Sequence, residues 1–250
     1  MKKLLDELLK EGLNNYKSNG YCLLKGSDFL DNYIFEDIYK KLDKLRIDIG
    51  SENSVSNNDA IFIDKVFAEP LKSSNFIRLV ETFCNGKAEL QHSKFFNKYF
   101  SKTNLSQEVD WHQDMPFFPH TNFNLPAISI RFDNEDESNG ALKVIQKSHK
   151  KIYNHFNSRG EFIYKIKNKN FKLNKFEVRT LNCEAMDIVV HHPLLVHAST
   201  NITKLNSKRR VLYYQARNIN NFQIGGVVWK CTGFPISNDQ ENNYYQYNST

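Results

Sequence analysis

Val109-Asp110-Trp111-His112-Gln113-Asp114 reads as a short strand whose alternate side chains leave on one face, so His112 and Asp114 project together. One imidazole and one carboxylate make two-thirds of a metal site. An H-x-D triplet is common by chance, so its meaning depends on a third ligand and on a scaffold that closes around it. The scaffold is legible from Glu89 onward, where short runs rich in Phe, Tyr, Ile and Val alternate with Asn, Gly, Pro and Ser. That texture belongs to an antiparallel sandwich or barrel. It predicts strands at 89–98, 108–114, 127–133, 141–145, 162–166, 187–192 and 209–217.

Upstream, Leu4, Leu5, Leu8, Leu9 and Leu13 recur at helical spacing until Asn19-Gly20 stops them, predicting a helix over 3–18. Ile34, Ile38, Leu42 and Leu45 predict a second over 32–47, with a short strand at Tyr21-Cys22-Leu23-Leu24 and a loop at 50–59. The 250 residues, 40% hydrophobic and 13% aromatic, suffice for a sizeable core and exclude a chain disordered throughout. One domain is expected over 1–250: N-terminal support at 1–88, a β core at 89–217 with a basic insert at 143–180, and a frayed tail at 239–250. No run approaches the ~18 apolar residues of a membrane span, and the N-terminus lacks a secretory signal's apolar stretch, so a cytoplasmic location is expected. Cys22, Cys84, Cys183 and Cys231 form no C-x-x-C pair, which excludes a zinc knuckle and leaves reduced, buried thiols.

The third ligand has to come from Asp187-Ile188-Val189-Val190-His191-His192-Pro193-Leu194-Leu195-Val196-His197-Ala198-Ser199, where three imidazoles lie in apolar surroundings. An uncompensated polar group there is costly. His191 and His192 fit ordinary packing with a hydrogen bond. His197 stands apart because a basic strand follows it, Lys208-Arg209-Arg210-Val211-Leu212-Tyr213-Tyr214. Two His and one Asp, with the opposite side open, describe the facial triad of non-haem Fe(II) oxygenases, although zinc hydrolysis would tolerate the same ligands. The arginine favours iron, since a guanidinium fork suits the far carboxylate of a keto-dicarboxylate.

With these motifs in order the sequence resembles the phytanoyl-CoA dioxygenase-like branch of the Fe(II)/2-oxoglutarate oxygenases. The likeness runs from Asn19-Gly20-Tyr21 through Gln91-His92-Ser93-Lys94-Phe95-Phe96-Asn97-Lys98 and Trp111-His112-Gln113-Asp114 to Asn139-Gly140-Ala141-Leu142, and ends at His197-Ala198-Ser199 and Arg209. It implies a mainly β fold, a double-stranded β-helix (jelly-roll, cupin-like) core with N-terminal helices, holding Fe(II) on His112, Asp114 and His197. It also implies 2-oxoglutarate and O2 as co-substrates, with Arg209 anchoring the far carboxylate, Ser199 adding a hydroxyl and Lys94 at the same site. The implied activity is oxygen activation, decarboxylation of 2-oxoglutarate to succinate and CO2, and hydrogen abstraction from a substrate. Asp114 fills the position that halogenating members give to chloride, so hydroxylation, desaturation or oxidative cyclisation is expected instead. The chain departs from its relatives at Gln146-Lys147-Ser148-His149, where Pro-Gly-Ser-His is usual. It departs again at Met186-Asp187, where many have Gly-Asp, and at Ser129, a frequent Trp.

On 127–133, Ser129, Arg131 and Asp133 share one face, opposite Ile128, Ile130 and Phe132. The apolar face is the better packer, yet the resemblance makes the barrel interior the active site. Arg131 is therefore a candidate, with Ser129 and with Lys94 and Lys98 on one face of 89–98, for holding a substrate carboxylate or phosphate; the alternatives are a surface ion pair and solvated lysines. Of a net charge of +6, the basic part concentrates at 141–180, with eleven Lys or Arg against Glu161 and Glu177. A lid that attracts an anionic small molecule is expected there. Charge runs are usually solvated faces, so neither nucleic acid nor membrane is expected as a partner. The expected function is oxidation of a small, anionic metabolite. An oxygenase acting on nucleic acid or protein, and a non-catalytic ligand-binding module, are the alternatives.

Overall fold

The structure, a computed structural model, describes residues 2–49, 55–100, 102, 108–167, 171, 173 and 176–236. The expected tail at 239–250 lies outside them. Helix α1 spans Lys2–Asn19 and α2 spans Asn32–Ile49, each a little longer than its apolar spacing predicts. Strand β1 (Tyr21–Leu24) joins them, and the expected loop at 50–59 contains strand β2 at Val55–Asn58 instead. That segment is polar, but it pairs by its backbone with the edge of a long strand, which periodicity does not register. Two short α-helices follow, α3 (Ala60–Ile63) and α4 (Ser74–Cys84), before β3 (Ala88–Tyr99) and β4 (Val109–His112). The remaining strands are β5 (Ala127–Arg131), β6 (Leu142–Ile145), β7 (Val178–Thr180), β8 (Ile188–His191), β9 (His197–Ser199) and β10 (Lys208–Asn218).

These strands form two antiparallel sheets, one in the order β1-β8-β5-β10-β3-β2 and a smaller one in the order β4-β9-β6-β7. Strands β1 and β2, from the segment expected only to support the core, are the two edges of the larger sheet. The expected strand at 162–166 does not form; Phe162 makes a single bridge to Phe156. Tyr164 is held at φ 58, a left-handed conformation that ends any extended run.

The two-residue alternation of the larger sheet decides everything about the site. On its outer face Ile128, Ile130, Ile188, Val190, Leu212 and Tyr214 pack with Leu9, Ile38, Leu42, Phe76 and Leu79 of the helices into one core. The apolar face therefore does pack best, against helices rather than against the opposite sheet. Its alternates Ser129, Arg131, Arg209, Tyr213, Lys94 and Lys98 are turned to the inner side by the same pleat, and pairing aligns them: Tyr213 opposite Lys94 and Ser129, Arg209 opposite Lys98. A smaller apolar cluster of Val189, Leu142, Val144 and Leu195 ties the two sheets together.

Leu212 is fully buried on the helix-facing side. Leu212→Ala should cost about 2–5 kcal/mol in urea unfolding while leaving the iron stoichiometry of the folded protein unchanged.

Candidate active site

Strand β4 ends at His112, and Asp114 lies two residues beyond, in the αR conformation at the start of a short 3-10 turn over Met115–Phe117. The pair is thus not carried by strand alternation, as the sequence suggests, but by a strand end and a turn. The turn is fixed by the Met115 amide, which donates to the Pro193 carbonyl at 3.0 Å. His197 opens β9, and β4 pairs with β9 so that His112 and His197 are direct partners.

The three side chains converge. Their ligand atoms all lie within 4.8 Å of one another. His112 Nε2 and His197 Nε2 each approach Asp114 Oδ1 at 3.6 Å. Both rings are oriented from behind: Nδ1 of His112 donates to the Asp110 carbonyl at 2.7 Å and Nδ1 of His197 to the Leu195 carbonyl at 2.9 Å. With Nδ1 protonated, each Nε2 lone pair is free and aimed at one point, which is the arrangement a metal-binding imidazole needs. Burial pushes the pKa of His197 well below its ordinary value, and the closeness of the His112 imidazole works in the same direction. His197 is therefore neutral and ready to ligate. Burial alone would raise the Asp114 carboxyl, but the three imidazoles gathered around it, His197 foremost, hold it well below the usual carboxylate range.

His191 and His192 separate as adjacent residues at a strand end should. His191 is buried on the inner side and donates from Nε2 to the second carboxylate oxygen of Asp114 at 2.9 Å. His192 turns away, accepts from the Leu194 amide and packs near Tyr16, Phe123 and His149. The hydrogen bond expected for His191 therefore falls on the one carboxylate of the site.

A cavity of about 200 Å³ opens on the triad, lined among others by His92, Lys94, Phe96, Phe117, Tyr213 and Trp229. Trp229 stacks on His92 at 4.1 Å; nothing in the spacing of the sequence signalled it. Ser129, Arg131, Lys98 and Arg209 lie outside this lining. Ser129 donates to the Val189 carbonyl at 3.0 Å within the sheet. Lys98 reaches Ser199 Oγ and the Thr200 carbonyl, both at 2.8 Å, and burial together with the charge of Arg209 pushes its pKa down to about 7. Arg209 is turned inward, with Nη2 on Tyr213 Oη at 3.3 Å and Nε on Glu135 Oε1 at 3.1 Å. Its neighbour Arg210 faces the helices and pairs with Asp133 and Asp43, so only Arg209 faces into the barrel.

The basic segment folds beside the triad and is stitched to it through Gln113, the residue between His112 and Asp114. Gln113 donates from its amide to His155 Nε2 at 3.1 Å, and its side chain reaches the carbonyls of Lys151 and Leu194. Phe162 and Tyr164 lean on Phe117 at the cavity wall, and Lys165 pairs with Asp110.

Compared with known proteins, the chain matches the family described as "Phytanoyl-CoA dioxygenase (PhyH)" over residues 16–210, well over half its length. It belongs to that family. The PhyH chain is also 26% identical over 217 residues to the "Probable alpha-ketoglutarate-dependent hypophosphite dioxygenase" of Stutzerimonas stutzeri, covering 77% of this chain and 73% of that one. Among solved structures it is similar to the epimerase SnoN in complex with Fe3+, alpha ketoglutarate and nogalamycin RO, with TM-score 0.71 at 14% identity over 96% of this chain and 98% of the other. It is likewise similar to EctD from S. alaskensis with bound Fe, with TM-score 0.66 at 13% identity over 85% and 78% of the two chains. The protein is an Fe(II)- and 2-oxoglutarate-dependent dioxygenase with the cupin-like fold of these enzymes. Among the described residues no helix is long and apolar enough to cross a membrane.

Removing any one of the three candidate ligands should break such a centre, so His112→Ala, Asp114→Ala and His197→Ala are each expected to lose Fe(II) in anaerobic equilibrium dialysis. His192→Ala should bind iron like the parent. His191→Ala should keep it with an affinity about 10–100-fold lower, the usual effect of removing a group that orients a ligand.

Proposed function

We propose that His112, Asp114 and His197 hold the iron, and that the enzyme oxidises a small anion. The observation that carries the first part is the convergence of two free Nε2 lone pairs on Asp114 Oδ1, with both Nδ1 atoms already committed to carbonyls. Two His and one carboxylate gathered on one side would hold Fe(II) and leave its other side open to co-substrate and oxygen. Arg209 anchors the far carboxylate of 2-oxoglutarate, with Ser199 and Lys98 beside it. When bound, iron with 2-oxoglutarate and dioxygen supplies the oxidising power, and 2-oxoglutarate leaves as succinate and CO2. The chain's own residues do the rest. His191 keeps Asp114 oriented, Phe117 and Trp229 wall the cavity against water, and Lys94 presents a cation to whatever enters.

Two features support a small anion. A cavity of about 200 Å³ is below the range of most ligand pockets, so little space remains once the co-substrate is in place. The cation on its wall is Lys94, whose ammonium lies 5.1 Å from the Phe96 ring centre. The relative named for hypophosphite acts on a small oxyanion, and the same class of substrate suits this site.

Anaerobic addition of Fe(II) and 2-oxoglutarate should produce the visible metal-to-ligand charge-transfer band. Loss of a charge-assisted partner costs about 1.5–3 kcal/mol, so Arg209→Ala should raise the 2-oxoglutarate KM by roughly ten-fold to over a hundred-fold, with iron affinity spared. Succinate release should be stimulated by small oxyanions and not by neutral metabolites of equal size. With the true substrate kcat/KM should fall as salt rises, and Lys94→Gln should abolish that dependence. Salt-independent kinetics in the parent enzyme would refute the anionic substrate.

A further inference from the structure

On the inner face of the larger sheet two guanidinium groups and the Lys98 amine meet one carboxylate. Arg131, Arg209 and Lys98 are each at most 1% exposed, and Glu135 is 3% exposed. Lys98 is committed to Ser199 and the Thr200 carbonyl, as described above. Glu135 Oε1 stands between the two guanidinium groups, 3.1 Å from Arg209 Nε and 3.5 Å from Arg131 Nη1. Arg209 has a further partner in Tyr213. Arg131 has none: among the described residues Nε, Nη1 and Nη2 all lack a hydrogen bond, as do both carboxylate oxygens of Glu135. A buried guanidinium with no donor satisfied is costly, and a single carboxylate cannot neutralise two of them. An arginine kept only to pair with Glu135 would lie in fork-to-fork contact with it, as Arg210 does with Asp133 through Nε and Nη2.

The surplus is that of a site awaiting one more carboxylate. Tyr213, which lines the cavity, has its ring centre 6.0 Å from the Arg131 guanidinium carbon and its hydroxyl on Arg209. Arg131 and Arg209 therefore share one side chain of the wall. We propose that Arg131 is a second anchor for 2-oxoglutarate, whose far carboxylate is received between Arg131 and Arg209 and not by Arg209 alone. This rests on the reading of Arg209 as the anchor, and it moves Arg131 from the substrate side of the site to the co-substrate side. A doubly cationic cradle makes the enzyme strict about the second carboxylate: 2-oxo acids that end in a methyl group leave both guanidinium groups unmet.

The test is equilibrium binding under anaerobic conditions to the Fe(II)-loaded enzyme, by calorimetry and by the visible charge-transfer band, with 2-oxoglutarate and with 2-oxobutyrate. The two acids share the chelating end and differ in the far carboxylate. Arg131→Gln should weaken 2-oxoglutarate at least ten-fold and leave 2-oxobutyrate within about two-fold, with Arg131→Lys recovering part of the loss. Arg131→Gln combined with Glu135→Gln removes both charges and guards against a folding defect from an unpaired glutamate; it should show the same selective loss. Unchanged 2-oxoglutarate affinity in Arg131→Gln, equal weakening of both acids, or restoration of affinity in the double variant would each overturn the proposal. Absence of 2-oxoglutarate binding by the parent, in contrast, would overturn the reading of the whole site.

Discussion

The carboxylate of Asp114 is the point on which the rest of the molecule depends. One of its oxygens faces two imidazole lone pairs and the other accepts from a third imidazole, so a single small group is addressed from β4, β8 and β9 at once. Those strands come from both sheets. The carboxylate can occupy its place only if the sheets close on each other at the right distance, and Val189, Leu142, Val144 and Leu195 set that distance. Packing between the sheets and coordination geometry are in this sense one constraint.

Much of this was open to inspection in the chain itself. His112, Asp114 and His197 follow from residue type, spacing and a resemblance that several ordered motifs carry, and the long apolar periods of α1 and α2 announce themselves. What escaped was whatever depends on partners distant in sequence. Strand β2 is polar and exists because β3 offers it an edge, while the alternating run at 162–166 has no such edge and stays irregular. Arg131 is the sharpest case. Its apolar neighbours Ile128 and Ile130 do form the packing face, yet this does not expose Arg131, because helices cover that face and the opposite sheet covers the other. A period of two says which residues go together; it does not say which side is dry.

The cluster of Arg131, Arg209 and Glu135 carries more positive charge than its single carboxylate balances, whereas the Asp114 carboxylate sits among imidazoles at the other end of the site. The interior is thus polarised from one end of the site to the other before anything enters it.

The basic segment is rooted rather than draped. Residues 151–155 are tied to Gln113, and the return at 163–167 is tied to Trp111, His155 and Asn154 by backbone bonds. Between these roots lies a short reversal, 156–162, which turns at Gly160 with φ 79 and has open space around that residue. Its far end, Phe162, touches the cavity wall through Phe117. In evolutionary terms this is a replaceable module on a fixed socket: the reversal can be lengthened around its glycine turn, and the cavity wall changed with it, without disturbing His112, Asp114 or His197.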